Sequence, residues 1–432
     1  IDDTDSVNGG CTTYLACALI NELFERNYDI IGYPRLVRLN PNIPWKTRGN
    51  GAISFQIGKG KGKKSKIGEI KEKELFCYKK KTDNDFGKKE IIKIVENKVN
   101  ELAKLDDKNT NSGFVILEKQ PSPKVYEKTV RGIVNLKTTK CLLEKLGAGY
   151  KGYKNGRGLI GATASIAWNP KEDKTYELIT YREKIKWGSK RFVDDKSTQI
   201  MDKKFPSTFD NYDYENKHNR LVPSSPCPVL YGIRGNIESD LIKAKDVIKS
   251  EKVDCWILFE GNQGTDDHLQ RKLINEIQPY DSVIAKGIVN SIPKTIMGGH
   301  VIFSIKDKTG SIDCAAYEPT KQFRDVVRKL IVGDVIEAYG GVRRKPLTIN
   351  LEKMEVKKLV KKLVKLENPV CPKCGKHMKS KGKNQGFKCK NCGTSENKAF
   401  IKEEKRGLSL KLYEVPVCAR RHLSKPLKRF GE

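Results

Sequence analysis

The sequence predicts a multidomain α+β protein: an α/β N-terminal region, a ferredoxin-like domain, an OB-fold β-barrel and a C-terminal zinc ribbon. Three observations carry that reading. The chain has 432 residues, the length of several cores. From about Thr295 an alternation of helix-like and strand-like segments gives way to short strands around one helix. And four of the twelve cysteines fall in two CxxC pairs near the C-terminus.

The elements follow in order. Leu15, Leu19, Ile20, Leu23 and Phe24 recur at helical spacing, which predicts an amphipathic helix over residues 12–26. Strands are expected at Asp29–Leu39 and Ala52–Ile57, with Pro41 and Pro44 breaking the segment between them. The glycine–lysine tract Gly58–Lys66 reads as a mobile, solvated loop. Ile91, Ile94, Val95, Val99 and Leu102 mark a second helix, Phe114–Leu117 a strand, and Val125–Leu146 a third helix. In the next block Leu159–Trp168, Tyr176–Tyr181, Pro228–Arg234 and Cys255–Phe259 read as strands, with a helix near 238–250. This rhythm fits a ferredoxin-like sandwich. A hairpin at 301–317, a helix at 321–330 and strands at 333–339 and 347–354 suggest an OB barrel. A lysine-rich connector, 357–365, leads to the cysteines.

Charge narrows the function. Lys+Arg is 84 against 53 Asp+Glu, a net charge of +31, which points to a polyanionic partner and above all to nucleic acid. No apolar run approaches the length of a membrane helix. The other cysteines are scattered, which fits a reducing, cytoplasmic setting rather than a disulfide framework. The chain begins at Ile1, and a further strand is expected upstream of Asp2.

Cys371, Cys374, Cys389 and Cys392 have the spacing of two metal knuckles, each followed by a glycine. Four thiolates fill a tetrahedral Zn2+ shell and leave His377 outside it. At the other end Asp2, Asp3 and Asp5 crowd three carboxylates into four positions. Gly9, Gly10, Thr12 and Thr13 follow at a helix start, where free N–H groups can meet phosphate. Together they suggest Mg2+–nucleotide chemistry, against the alternative of a polar turn with Thr12 or Thr13 as N-cap. Arg35, Arg38, Asn40, Lys46, Arg48 and Asn50 cluster between strands, close enough in sequence to clamp a triphosphate. The segment Asn262, Gln263, Thr265, Asp266 offers neutral hydrogen bonds and countercharge to a cationic ligand. Asp210 and Asp213 are acidic residues in a similarly polar stretch.

Two glycine runs are decoys. Gly156–Gly161 matches GxGxxG but is expected to precede a strand instead of opening a helix, so it reads as a loop approaching a substrate. Gly58–Ser65 has its glycines too close to the lysine for a P-loop.

Taken together, IDDTDS at 1–6, CTTYLA at 11–16 and PRLVRLNPNIPWKTRGNGA at 34–52 resemble the archaeal tRNA 2-agmatinylcytidine synthetase family, TiaS. YKGYKNGRGLIGA at 150–162, YGIRGN at 231–236, GNQGTDDHL at 261–269 and ARRHLSKPL at 419–427 extend the resemblance over nearly the whole chain. The resemblance implies an ATP-dependent ligase that joins agmatine to the wobble cytidine of the isoleucine tRNA with a CAU anticodon. The cytidine is first phosphorylated, and AMP and diphosphate are released. It implies a kinase-like domain over 1–145, a ferredoxin-like domain with the agmatine site over 146–285, an OB fold over 286–360, a zinc ribbon over 361–405 and a basic tail over 406–432. Asp2, Asp3, Asp5 and an autophosphorylated Thr12 fall on catalytic positions. Gly9, Gly10, Thr13, Lys46, Arg48 and Asn50 are expected at the nucleotide, and Asp210, Asp213, Asn262, Gln263, Thr265 and Asp266 at agmatine. Arg343, Arg344, Lys345, Arg420 and Arg421 are expected on tRNA. ATP, Mg2+ and Zn2+ are the implied cofactors. A non-catalytic RNA-binding protein would account for the charge and the cysteines but would leave the acidic opening idle.

Overall fold

The computed structural model describes residues 1–82, 87–170, 173–382, 385–397 and 400–431. After the acidic opening come α1 (Thr12–Glu25), β1 (Asp29–Arg38), β2 (Gly51–Ile70), β3 (Lys73–Thr82) and α2 (Lys88–Leu102). Then follow β4 (Gly113–Ile116), α3 (Lys124–Arg131), α4 (Leu136–Lys145), β5 (Gly149–Gly152) and α5 (Gly158–Ala167). The second block holds β6 (Thr175–Arg182), α6 (Asp195–Lys204), β7 (Thr208–Phe209), β8 (Tyr212–Asp213) and β9 (His218–Asn219). It ends with β10 (Val229–Gly235), α7 (Glu238–Lys245) and β11 (Val253–Gly261).

These two blocks share one seven-stranded sheet, ordered β1-β3-β2-β11-β6-β10-β7. The seam is double. β2 pairs antiparallel with β11, and β1 pairs parallel with it at Arg35↔Glu260 and Leu36↔Gly261. Ala16, Cys17 and Ile20 of α1 pack on Ile53, Ile179, Tyr181, Ile257 and Phe259, so a single core crosses the seam. The opposite side of α1, through Leu15, Leu19 and Leu23, buries against Ile94, Val95 and Val99 of α2. Burial of this order, worth roughly 1.5–3 kcal/mol per large side chain, fixes α1 and therefore the acidic segment before it.

The remainder is a barrel and a small metal module. β12 (Gln270–Arg271), β13 (Ser282–Val289), β14 (Lys294–Thr295), β15 (Val301–Lys306), β16 (Ser311–Ala316), α8 (Phe323–Arg328), β17 (Val335–Arg343) and β18 (Thr348–Lys358) make the barrel. The path β13-β17-β18-β16-β15 closes because β15 also pairs with β13. Phe303, Ile305, Cys314, Ile336, Ile349 and Met354 fill the interior. β19 (Leu363–Glu367), β20 (Lys379–Ser380), β21 (Phe387–Lys388), β22 (Ser395–Glu396) and β23 (Phe400–Glu403) frame the cysteines. β24 (Leu412–Glu414) returns the chain to β18 of the barrel.

Three sequence expectations are corrected here. Leu159–Trp168 is not a strand but α5, a glycine- and alanine-rich helix whose Leu159, Ala162, Ala164 and Ala167 have no exposed surface. A helix buried on all sides has no polar face, so its apolar run mimics a strand. Gly58–Lys66 is not a loop but the middle of β2, paired to β3 from Lys59↔Thr82 onward. Gly60 lies under the Tyr78 ring, where a Cβ would come within 2.2 Å of the ring carbons. The helix expected over 125–146 is broken into α3 and α4, with Gly132 extended and Asn135 capping α4 by accepting from Lys137 N at 2.7 Å.

Candidate active site

The acidic opening is fixed by backbone. Asp2 N donates to Gly113 O at 3.0 Å, and Gly113 N donates to Asp2 O at 3.1 Å. This bridge stands against the first turn of α5. A Cβ on Gly158 would lie 2.5 Å from Gly113 N and 2.8 Å from Asp2 O. One on Gly161 would lie 1.9 Å from Asp2 Oδ2. The GxGxxG run therefore follows a strand, β5, and opens a helix, contrary to the sequence reading. It remains outside the Rossmann pattern, because β5 pairs antiparallel with β4. Its glycines admit the protein's own acidic segment.

The three carboxylates diverge. Asp5 accepts from Arg48 Nε at 2.5 Å and Thr47 Oγ1 at 2.9 Å. Asp3 accepts from Arg157 Nε at 2.9 Å and Asn111 N at 3.1 Å. Among the described residues Asp2 has no arginine or lysine partner. Burial, then the Asp3 charge, pushes its carboxyl up to about 7. Burial also raises Asp3 in spite of Arg157.

These groups line a cavity of 1020 Å³. Asp2, Asp3, Asp5, Thr12 and Thr13 form one wall; Lys46, Arg48 and Asn50 form the next. Cys11, not a threonine, is the N-cap of α1 and makes no side-chain cap bond. Thr12 and Thr13 thus sit in the first turn, whose N–H groups have no intrahelical acceptors. Thr12 Oγ1 accepts from Thr4 Oγ1 at 3.0 Å. Gly9 and Gly10 are not among the lining residues. Gly10 has φ +71°, and its carbonyl accepts from Arg48 Nη2 at 2.7 Å, so they shape the turn beneath the wall. Asn50, at φ 47°, donates to Asn40 O at 2.8 Å.

The far wall was missed in the sequence. It comprises Arg220, Arg234, Glu177 and His422, and Arg157, beside Asp3 on the acidic wall, was missed as well. Glu177 Oε2 accepts from Arg38 Nη2 at 3.1 Å, and its Oε1 from Arg234 Nε at 3.3 Å. The Arg38 charge, then burial, holds the His422 imidazole well below its ordinary value, so the ring is neutral near pH 7. The available signal was a single acid, Glu177, in the wholly buried strand β6. Arg157, Arg234 and His422 lay inside quoted motifs without a stated role.

The residues expected at agmatine are mostly engaged by the protein. Asn262 accepts from Arg38 N at 2.7 Å and donates to Arg38 O at 2.9 Å, acting as an extra strand partner. Thr265 Oγ1 donates to Asn262 O at 2.7 Å. Asp266 accepts from Lys353 Nζ at 2.5 Å and Lys425 N at 2.7 Å. Asp213 accepts from Asn216 N at 3.0 Å and Cys418 N at 2.9 Å. Asp210 is ion-paired with Arg420. Gln263 stands behind the cavity wall, where its amide, turned to satisfy both neighbours, donates to the lining residue Glu177 at Oε2, 3.0 Å away, and accepts from Arg234 Nε.

The cations expected on tRNA separate in the same way. Arg343, at the end of β17, and Arg344 and Lys345, in the turn after it, are exposed. Arg421 is half-buried and donates to Asn42 Oδ1 at 2.6 Å. Arg420 is 5% exposed and paired with Asp210 and Glu414, so its charge is not free for a phosphate.

The cysteine site is brought together as expected. The four Sγ atoms lie within 4.8 Å of one another, with Cys371–Cys392 at 3.3 Å and Cys374–Cys389 at 3.4 Å. A tetrahedral zinc with bonds of about 2.3 Å separates its sulfurs by about 3.8 Å, so the set fits. Gly375 and Gly393, at φ +71° and +75°, donate to Cys371 O and Cys389 O to close the two knuckles.

Comparison with known proteins decides the family. Residues 1–155 match the domain described as "TiaS TCKD domain", 156–268 the "TiaS FLD domain" and 368–408 the "TiaS C-terminal zinc ribbon domain". Residues 283–357 match an OB-fold nucleic acid binding domain. The tRNA 2-agmatinylcytidine synthetase TiaS of Methanocaldococcus jannaschii is 44% identical over 99% of this chain and 97% of its own length.

The chain belongs to the TiaS family.

The TiaS of Archaeoglobus fulgidus is 41% identical over 100% of this chain and 97% of its own. Two solved structures give the same picture. A complex of TiaS with isoleucine tRNA and ATP has a TM-score of 0.85 at 40% identity, covering 99% of this chain and 96% of that one. A complex of TiaS with isoleucine tRNA, AMPCPP and agmatine has a TM-score of 0.83 at 38% identity, covering 100% and 96%. The ferredoxin-like, OB and zinc-ribbon expectations agree with these TiaS matches, and among the described residues no helix is long and apolar enough to cross a membrane.

Proposed function

We propose that this TiaS-family chain is a tRNA 2-agmatinylcytidine synthetase, working in the cytoplasm. It joins agmatine to the wobble cytidine of the CAU-anticodon isoleucine tRNA through a phosphorylated cytidine: ATP supplies the phosphoryl group to the ring oxygen, and that group leaves with the oxygen as phosphate when the agmatine amine attacks and loses its proton. The observation that supports this reading is the 1020 Å³ cavity, in which an acidic segment, a helix N-terminus and fixed cations face one another.

A carbonyl oxygen on a pyrimidine is a poor leaving group, and phosphorylation makes it a good one. That step needs charge clamping more than a nucleophilic side chain. Lys46, Arg48 and Arg157 clamp the triphosphate, with the first-turn amides of α1 as further donors. Asp5 and Asp3 keep Arg48 and Arg157 in position. Asp2, without an arginine or lysine partner among the described residues, would hold Mg2+, which when bound would neutralise phosphate charge. Thr12 accepts a phosphate from ATP. Agmatine lies beside Glu177, a cavity-lining carboxylate that exchanges an Arg38 or Arg234 bond for the guanidinium. Asp210 and Asp213 hold the C-terminal tail that carries His422 into the cavity. Residues 1–145 and 146–285 act together because their strands form one sheet, and residues 286–360 and 361–405 hold the tRNA.

Labelled agmatine, ATP and a mixed tRNA pool test the proposal. Label in one isoleucine tRNA species, dependent on ATP, is the expected result; tRNA binding without label transfer would overturn it in favour of a non-catalytic RNA-binding protein.

A further inference from the structure

Five arginines line the catalytic cavity: Arg38, Arg48, Arg157, Arg220 and Arg234. Four of them are tied to a carboxylate, Arg48 to Asp5, Arg157 to Asp3, and Arg38 and Arg234 both to Glu177. Arg220 is not. Among the described residues it has no ion pair, and its guanidinium makes no hydrogen bond.

The segment that carries Arg220 is nevertheless fixed. Arg220 N donates to Asn211 O at 2.8 Å, and Gly232 N donates to Leu221 O at 2.9 Å, which ties the segment to β10. Leu221 is buried with Leu230, Tyr231 and Ile233 of that strand. The acids that face Arg220 are already engaged. Asp210 is paired with Arg420, and Asp213 accepts from Asn216 N and Cys418 N. Its other polar neighbours are the Cys418 thiol, Arg234 and His422. Burial, then the Arg234 charge, pulls the Arg220 guanidinium down from its ordinary value, and an arriving anion would relieve both effects. His422 is neutral, and its ring makes no hydrogen bond among the described residues, so it adds an N–H donor beside Arg220 without adding charge.

The reaction proposed above brings two phosphoryl sites into this cavity, the triphosphate of ATP and the phosphate on the cytidine. The triphosphate is served by Lys46, Arg48 and Arg157 beside the N-terminus of α1. Arg220 stands on the opposite wall with Glu177, the carboxylate beside which agmatine lies. Attacking amine and departing phosphate share one ring carbon, so the phosphate leaves next to the amine, on that wall.

We propose that Arg220 is a catalytic residue of the second half-reaction, gripping the phosphoryl group on the cytidine and stabilising it as it departs. The inference rests on the function proposed above. In this step the bond from the amine nitrogen to the ring carbon forms, and the bond from that carbon to the phosphorylated oxygen breaks. The oxygen leaves with the electron pair, and the proton lost by the amine ends on the phosphate. Negative charge builds on the phosphate as the bond breaks, and a fixed guanidinium fork meets it there.

The test uses full-length protein and reads the two half-reactions separately. Label from γ-labelled ATP is first loaded onto tRNA without agmatine. Its release as phosphate is then followed after agmatine is added. Removing one donor of this kind slows a step by about 10²–10³, so Arg220→Gln should slow release about a hundredfold. Loading and RNA-free ATP affinity should stay within about twofold of the parent, since ground-state binding is untouched. Arg220→Lys keeps the charge without the fork and should recover part of the rate. If Arg220→Gln melts far below the parent, the same comparison is made with Arg220→Lys. Release at the parental rate in the folded variant overturns the proposal. So does an equal fall in loading, which would assign Arg220 to ATP, or a rise in the agmatine KM alone, which would assign it to the amine. A lower salt slope of tRNA binding would assign it to a backbone phosphate and overturn it too. A parent enzyme that loads no label defeats the proposed function; an active parent with an unaffected variant defeats this inference alone.

Discussion

Replacing Gly161 with alanine adds one methyl group and no charge, and it tests whether Asp2 takes part in the chemistry. The new Cβ would stand 1.9 Å from Asp2 Oδ2, 2.6 Å from Asp2 Cγ and 2.8 Å from Leu39 Cδ1. Carbon and oxygen approach to about 3.3 Å at closest, so the carboxylate must move by more than ~1 Å. The Asp2 backbone cannot follow, because it is bridged to Gly113 in both directions. The side chain must therefore rotate off its present position in the cavity wall. Overpacking costs about 1–3 kcal/mol, and alanine in a helix interior returns about 1 kcal/mol over glycine, so the fold should survive. A misplacement of ~1 Å at a reacting centre costs about a hundredfold, equivalent to about 2.7 kcal/mol in the barrier. The assay is tRNA-dependent AMP formation at saturating substrates, run beside a thermal melt. The expected result is a kcat about a hundredfold lower with a melting shift of a few degrees. Asp2→Asn should lose a similar amount, and the double variant little more, since both act on one group. Full turnover from folded Gly161→Ala would refute the role given to Asp2.

Further outcomes follow from other parts of the molecule. Metal analysis should find one zinc per chain, lost in Cys389→Ser, with tRNA affinity falling more than RNA-free ATP binding; zinc-free protein of full activity would contradict the cysteine site. Mass spectrometry after incubation with ATP should place phosphate on Thr12, and modification confined to Thr13 would remove that assignment. Buried Glu352 is held at about 2, because His268 and Arg421 outweigh the upward push of burial. Its folded value is below its unfolded one, so its contribution is complete above about pH 4.5 and is lost as pH falls toward 2. Glu352→Gln should therefore melt lower than the parent at pH 7 by an amount worth a few kcal/mol, with the gap closing over that acid range; a gap independent of pH would show that charge is not the cause. Arg420→Ala should destabilise the fold, since its partners are Asp210 and Glu414, while leaving the salt dependence of tRNA binding unchanged; a lower salt slope would show that Arg420 meets phosphate after all.

The legible parts of the sequence share a property: each is decided by residues close in the chain. The zinc knuckles need only C-x-x-C-G twice, because a tight turn brings two thiolates to one metal. Helix α1 shows its apolar stripe over four turns, and the barrel strands show their alternation. The acidic opening and the cations at Lys46, Arg48 and Asn50 were likewise recognisable as polar clusters that a stable fold has little reason to place together. What misled were segments whose environment differs from their composition. Helix α5 reads as a strand because every face is buried, and β2 reads as a loop because its lysines point to solvent beside β3.

The sequence by itself thus determined the domain classes, the four-cysteine cluster, the sign of the net charge and most of the polar residues that meet in one wall of the cavity. Tertiary structure alone decided which polar groups are available. Asp210, Asp213, Asn262 and Asp266 are as polar as Asp2, yet they are consumed by Arg420, Cys418, Arg38 and Lys353, residues 87 to 224 positions away. The far wall, with Glu177, Arg234 and His422, exists only because β6, β10 and the C-terminal tail meet there. Hydrogen-bonding capacity is a local property of a residue, whereas its satisfaction depends on partners the chain brings from a distance. That is why chemistry could be read from the letters and availability could not.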